Sequence, residues 1–293
     1  MINVVIPTAG IGSRLGSMTN NFNKALIPIG KKPSISYIID FYPKDSKFII
    51  ALGFKGEDVK SFIELAYPKL NVIFVYVDNY DGIGSGLNHT LKMCEPYIDA
   101  PFFFHANDTI ITDQLDFDNF KNDTLLLNSL YIDPNSYVSA SIIEDKIKKL
   151  TPKTNIRIEN PISYIGISYI KSFQKFKKIL ASEVNGITES DFFINFLNIS
   201  EIDYVITKSW YDIGNIEKYR LALAELSDFD NLLKEDESIY FIDDRVIKYF
   251  SDSNIIDSRC ERVKYFITKR RKAALSLMNI LKNNKYLLPQ KIP

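Results

Sequence analysis

The apolar run Asn3-Val4-Val5-Ile6-Pro7 passes directly into Thr8-Ala9-Gly10-Ile11-Gly12-Ser13-Arg14, and Asn23-Lys24-Ala25-Leu26-Ile27-Pro28 follows. This opening restricts the possible folds more than any other stretch. The run has the length and β-branched content of a buried strand. Glycines at 10 and 12 remove Cβ atoms that would hold a main chain away from a ligand. The N–H groups of such a loop can point at phosphate oxygens. Arg14 and Lys24 bring two cations to the same mouth. A strand, a glycine loop and two cations in this order predict a polyanion site at the carboxyl end of a sheet strand.

Two other glycine motifs are excluded by the letters. The dinucleotide fingerprint requires a third glycine after G-x-G-x-x, and here Leu15 stands in that place. The P-loop requires G-K-[ST], which the segment lacks.

Ile6-Pro7-Thr8-Ala9-Gly10-Ile11-Gly12-Ser13-Arg14, Lys24-Ala25-Leu26-Ile27-Pro28-Ile29 and Lys32-Pro33 resemble the signature of the sugar-phosphate nucleotidylyltransferases. The match extends through Ala51–Gly56, Asp81–Leu87, Phe102–Thr109 and Trp210–Asn215. Within that family the chain most resembles the capsule- and lipopolysaccharide-associated, cytidylyltransferase-like branch. The resemblance implies a Rossmann-like α/β domain that joins an NTP to a phosphorylated small molecule and releases pyrophosphate.

Strands and helices alternate through the first half: strands over 47–52, 71–77 and 102–105, helices over 57–66 and 85–94. Continuous apolar strands alternating with helices predict a mostly parallel, mixed sheet covered on both faces. Ligands in such sheets gather beyond the carboxyl ends of the strands, where the glycine loop, Gly53 and Asp108 converge. Further strands are expected over 125–132, 137–143, 146–150 and 164–168, and helices from about 172 to 181 and from 188 or 189 through 196. In the family this middle region forms the lid over the acceptor.

The catalytic domain is expected to span residues 1–225, with a small α+β appendage over 226–293. A hairpin is expected there, from 237–241 and 246–250 around Asp243-Asp244, followed by a basic helical stretch. The hairpin resembles the start of a fused small-molecule kinase domain, with Lys248 at its strand lysine. No kinase catalytic loop follows, so a remnant or truncated domain without kinase activity is expected, serving as a docking or oligomerisation appendage.

The 293 residues carry 36 Lys and Arg against 36 Asp and Glu, a net charge of zero, which argues against nucleic acid as a partner. Two cysteines are too few for a disulfide framework. No leader-like segment or run of about 20 apolar residues stands out, so a soluble cytoplasmic protein is expected. A homo-oligomer is compatible with this composition.

Asp108 follows an apolar strand, and Asp212 ends the segment Trp210-Tyr211. Mg²⁺ takes one or two carboxylates together with phosphate oxygens and water, and the resemblance carries both aspartates over as its ligands. It also assigns Thr8, Ala9, Gly10, Gly12, Ser13 and Asn107 to the nucleotide. Arg14 is assigned to the β- and γ-phosphates and Lys24 to the α-phosphate and the attacking phosphate. Ser85 and Gly86, in the loop Gly82–Gly86, are assigned to the base. CTP is the first choice, ahead of UTP, GTP and dTTP. Gly53, Gly166 and Asp191 are expected near the acceptor, a phosphorylated sugar, alditol or amino compound.

A phosphate monoester is mostly a dianion at neutral pH and needs no general base, so His89 and His105 are read as structural. Two other classes remain open. A nucleotide-sugar-dependent glycosyltransferase would want D-x-D where Asn107-Asp108-Thr109 stands. A nucleotide-sensing module would not need the full set of cations and carboxylates.

Overall fold

The computed structural model describes residues 2–226 except 21, 30–31, 130–133, 156–157, 159–161, 183–188, 198 and 200, and beyond them the strands 238–242 and 246–250. No side chain is described for residues 17, 182, 189–191 and 197 or beyond 226.

The chain opens with β1 (Asn3–Pro7), two 3-10 segments (Ser13–Asn20 and Lys24–Leu26) and the two-residue strands β2 (Pro28–Ile29) and β3 (Lys32–Pro33). Then come α1 (Ser34–Phe41), β4 (Lys47–Leu52), α2 (Gly56–Ala66), β5 (Asn71–Tyr76), α3 (Leu87–Cys94), β6 (Phe102–His105) and β7 (Thr109–Ile111). The second half holds β8 (Thr124–Asn128), β9 (Ser139–Ile143), β10 (Lys146–Thr151), β11 (Ile162–Ile170), α4 (Phe173–Ser182) and α5 (Glu189–Leu197). It continues with β12 (Asp203–Thr207), β13 (Trp210–Asp212) and α6 (Ile216–Leu226), and then β14 (Ser238–Ile242) and β15 (Val246–Phe250).

Nine strands form one mixed sheet, along the path β10-β9-β11-β6-β1-β4-β5, with β8 on β11 and β12 on β8. β1 pairs parallel with β4 and β6, and β4 with β5. β11 runs antiparallel to β6, β8 and β9. The parallel half matches the expectation from alternating strands and helices. In the other half β8 and β12 pair parallel, while β8 to β11 follow one another with no α-helix between them, and antiparallel pairing needs no crossover helix.

Alternation along the strands sorts side chains onto the two faces. Val4 and Ile6 of β1 join Phe48, Ile50 and Leu52 of β4 in a core capped by α1 and α2. Val5, Ile49, Ala51, Phe102 and Phe104 point to the other face, beneath α3, α4 and α5. Both faces are filled, so the carboxyl ends of β1, β4 and β6 are left to meet ligands.

A third cluster positions the second acid. Tyr219, Ala222 and Leu223 of α6 pack with Leu15, Met18, Ile27, Ile29, Ile110 and Ile213. The Tyr219 hydroxyl donates to the Pro28 carbonyl at 2.7 Å. β13 pairs antiparallel with β7, with Asp212 opposite Thr109. The 210–215 segment is thus fastened beside the loop that carries Asp108.

Local structure adds to the periodicity reading and departs from it. Ser13–Asn20 is 3-10 and kinks at Gly16, whose φ of 58° and ψ of −135° are not helical. α3 begins at Leu87, because Gly86 lies at φ 138°, outside helical space. α1 and β12 were not anticipated: SISYIIDF is short and apolar on most sides, so it shows no clear period.

β14 and β15 pair antiparallel from Ser238↔Phe250 to Ile242↔Val246, the strand pair expected within the appendage. The 251–293 stretch, with its expected basic helix, lies outside the described residues. No described helix is long and apolar enough to cross a membrane.

Candidate active site

The glycine loop is held from below by backbone. Thr8 N–H and its hydroxyl both donate to the Ala51 carbonyl, at 3.0 and 2.6 Å. Phe54 N–H donates to the Ala9 carbonyl at 2.9 Å. Gly53 underlies that contact: a Cβ there would sit 2.6 Å from the Ala9 oxygen. The structure therefore puts Gly53 against the back of the loop, and it is not among the residues lining either cavity described below.

Asn23 ties the loop to Lys24. Its side chain is fully buried; Nδ2 donates to the carbonyls of Thr8 (2.8 Å) and Phe54 (2.6 Å), and Oδ1 accepts from Ala25 N–H (2.8 Å). One carboxamide thus joins the ends of β1 and β4 to the 3-10 turn that begins at Lys24. The sequence analysis assigned Asn23 no role of its own. A buried asparagine before a short turn is an N-cap signal that could have found it.

Gly12 sits at φ 73°, and a Cβ there would press on Lys24 Cβ at 3.3 Å and Thr19 Cγ2 at 3.2 Å. The lysine stem therefore lies along the glycine, and Lys24 Nζ reaches Asp108 Oδ2 at 2.6 Å. Arg14 Nη2 stands 3.6 Å from the same oxygen, with its side chain 66% exposed against 10% for Lys24. Burial by itself would raise the Asp108 carboxyl. The neighbouring Lys24 ammonium and Arg14 guanidinium outweigh burial and hold it below the usual carboxylate range. Asp108 is an anion at neutral pH, and Lys24 is buried while Arg14 is largely exposed.

Asp212 comes in from β13. Its Oδ1 accepts from Gly214 N–H at 2.5 Å, and its Oδ2 accepts from the Tyr137 hydroxyl (2.9 Å) and Lys218 Nζ (2.8 Å). Lys218 Nζ also lies 4.0 Å from the centre of the Tyr137 ring, and that ring packs edge-on against Trp210 at 4.7 Å. Tyr137 and Lys218 were not singled out from the sequence. Lys218, one turn into the helix after Asp212, was open to detection; Tyr137, 75 residues upstream of Asp212, was not.

The two carboxylates converge. A Cβ placed on Gly214 would meet Asp212 Oδ1 at 2.7 Å and Asp108 Oδ2 at 3.3 Å. Two acids, one from the turn between β6 and β7 and one from the end of β13, flank a bare glycine and fit a hard divalent cation that completes its shell with phosphate and water. No cluster of three metal-ligating side chains occurs among the described residues, so such a cation would depend on oxygens brought by a ligand.

Two cavities meet at Asp108. The smaller, about 280 Å³, is lined by Gly10, Gly12, Lys24, Gly86, Asn107 and Asp108 among others. The larger, about 440 Å³, includes Arg14, Asp108, Tyr137, Gly166, Trp210 and Asp212 in its wall. Thr8 is buried beneath the loop, and Ala9 lines the smaller cavity. Ser13 begins the 3-10 segment. Ser85 hydrogen-bonds within its own loop, its Oγ donating to the Gly82 carbonyl at 2.7 Å. Asp191 falls on α5, and its side chain lies outside the described residues.

The histidines sit elsewhere. His105 is fully buried, its Nε2–H donating to the Thr109 carbonyl (3.0 Å) and its Nδ1 accepting from the Tyr42 hydroxyl (2.9 Å). His89 pairs with Asp78 at 2.8 Å. Neither lines a cavity described above.

The architecture is that of the α/β nucleotidyltransferases, as a search of solved structures shows. A Bacillus anthracis protein assigned as a glucose-1-phosphate thymidylyltransferase superposes with TM-score 0.66 and 25% identity, over 78% of this chain and 96% of that one. The CTP:phosphocholine cytidylyltransferase of Streptococcus pneumoniae superposes with TM-score 0.67 at 18% identity, over 77% and 99% of the two chains. In sequence, the chain is 26% identical over 223 residues to the bifunctional protein GlmU of Methanococcus vannielii, covering 73% of this chain. It spans 52% of that relative's length. No family model matches the chain. The chain is thus similar in sequence to about half of one bifunctional protein and in fold to two nucleotidyltransferases.

Proposed function

We propose that the chain is a nucleotidylyltransferase that transfers the NMP part of an NTP to a phosphorylated small molecule and releases pyrophosphate. The observation that carries this reading is Asp108 at the junction of two cavities, with Lys24 in the wall of one and Arg14 in the wall of the other. The smaller cavity takes the nucleotide against the glycine loop, and the larger takes the acceptor between Gly166 and Tyr137.

The acceptor's phosphate oxygen attacks the α-phosphorus, and the bond to the bridging oxygen of pyrophosphate breaks in line. No proton need be removed from the attacking dianion, which accords with both histidines lying outside the cavities. Catalysis is then positioning and charge neutralisation. Lys24, held by Gly12 and Asp108, faces the α-phosphate and the incoming phosphate. Arg14, largely exposed, follows the β- and γ-phosphates as they leave. Mg²⁺ held by Asp108 and Asp212 would neutralise phosphate charge when bound.

Among bases we favour CTP, on the likeness of the opening motif to cytidylyltransferases; the neighbours described above include both a thymidylyl and a cytidylyl enzyme. A role in supplying activated precursors for capsule or surface polysaccharide in the cytoplasm follows from the same likeness. The test is coupled pyrophosphate release with each NTP, Mg²⁺ and a panel of phosphorylated sugars, alditols and amino compounds. Release that depends on both an NTP and an acceptor is the expected result; none with any pair rejects the reading.

A further inference from the structure

Each acid of the candidate site already holds a lysine. Asp108 carries Lys24 at 2.6 Å and Asp212 carries Lys218 at 2.8 Å, with Arg14 as a third cation 3.6 Å from Asp108. Two negative and three positive side chains leave this cluster with a net positive charge. A free dication approaching Gly214 would be repelled, and it would have to compete with ammonium groups for carboxylate oxygens.

Lys218 is held at two points. Its ammonium contacts Asp212 Oδ2 and also lies over the Tyr137 ring at 4.0 Å, while the Tyr137 hydroxyl donates to the same Oδ2 at 2.9 Å. Cation–π and carboxylate contacts therefore act together on one half-buried ammonium. The backbone fixes its origin, because Lys218 N–H is capped by Asn215 Oδ1 at 2.9 Å in the first turn of α6. Asp212 consequently has all its observed partners satisfied by protein.

We propose that Lys218 couples divalent-cation binding to nucleotide binding. It occupies Asp212 in the free protein and so keeps the pair Asp108–Asp212 a poor site for a free cation. A triphosphate reverses the local charge and supplies the oxygens that two carboxylates lack, so the cation enters with the nucleotide. This inference rests on the assignment of Asp108 and Asp212 as cation ligands.

The test is direct Mn²⁺ binding, by electron paramagnetic resonance of the free ion, to the full chain with and without a non-hydrolysable NTP analogue. Lys218→Met keeps the aliphatic stem and removes the charge. It should raise the affinity of the nucleotide-free protein for Mn²⁺ by about tenfold or more, while the nucleotide-bound protein, whose phosphate oxygens complete the shell, stays the tighter binder. Lys218→Arg should restore weak binding, which a merely structural role would not require. Equal Mn²⁺ affinity of the wild-type and Lys218→Met proteins without nucleotide overturns the inference. Adding Asp212→Asn to Lys218→Met separates the two levels. If the gained affinity survives that change, the cation is not on Asp212 and the ligand assignment fails with the inference. If wild-type binding with nucleotide needs Asp212 but Lys218→Met changes nothing, only the inference fails.

Discussion

Lys24, Asp108 and Asn23 form a chain of dependence: the asparagine sets the turn, the turn aims the ammonium, and the ammonium keeps the carboxylate charged. Lys24→Ala is expected to lower turnover by about 100- to 1,000-fold, the scale of losing a fixed charge-stabilising donor. The fold should persist, because Asp108 keeps Arg14 nearby and partial contact with solvent. Pyrophosphate release alongside circular dichroism checks this, and near-wild-type turnover rejects the role. Asn23→Ala leaves two buried carbonyls without their donor and should cost about 1–3 kcal/mol, measured by urea denaturation. It should also reduce kcat more than it changes the KM for nucleotide, since the substrate does not touch Asn23. At this scale Arg14, Lys24, Asp108 and Asp212 were legible as letters. Asn23 and Lys218 left local signals that were not used, a cap before a turn and a lysine six residues after Asp212; Tyr137 left none, because its hydroxyl meets a carboxylate 75 residues away.

Elements decide how close the two acids stand. β7 and β13 pair so that Asp212 lies opposite Thr109, and α6 fixes the following glycine. Gly214→Ala puts a methyl 2.7 Å from Asp212 Oδ1 and 3.3 Å from Asp108 Oδ2. It is expected to reduce activity by about tenfold or more by spreading the carboxylates. It should also lower thermal stability, as measured by scanning calorimetry, because the methyl displaces a carboxylate that Gly214 N–H, Tyr137 and Lys218 hold in place. Activity that matches the wild type would show that the carboxylate spacing is not critical. Strands β1, β4, β5 and β6 and most helices were readable from apolar runs and alternation. β7, β12 and β13 were not identified as strands: each is three to five residues long, and its partner is remote in sequence.

For the whole molecule, His105 gives a pH dependence with a definite sign. Burial pushes its imidazole down from 6.5 to about 4, against the opposing pull of the Thr109 carbonyl and the Asp108 charge. Tyr42, whose hydroxyl faces Nδ1, stays protonated because burial raises it. A folded pKa below the unfolded one means the unfolded chain binds the extra proton. The His105 contribution is therefore complete above pH 6.5 and declines as the pH falls from 6.5 toward about 4. The difference amounts to about 3 kcal/mol. Urea midpoints should fall between pH 7 and pH 5, and His105→Gln, which does not titrate, should flatten that slope. An unchanged slope in the variant would reject the assignment.

By itself the sequence determined the class of sheet, the strand-to-glycine-loop opening and which cations and acids the chain carries. Those follow from local rules: alternation, run length, and the backbone freedom of glycine. The tertiary structure alone decided that Asp108 and Asp212 flank one glycine, that Gly53 braces the loop from behind, and that each acid already holds a lysine. Such pairings come from sheet register and the packing of α6, and they join residues as much as a hundred positions apart. Local periodicity carries no record of distances of that kind.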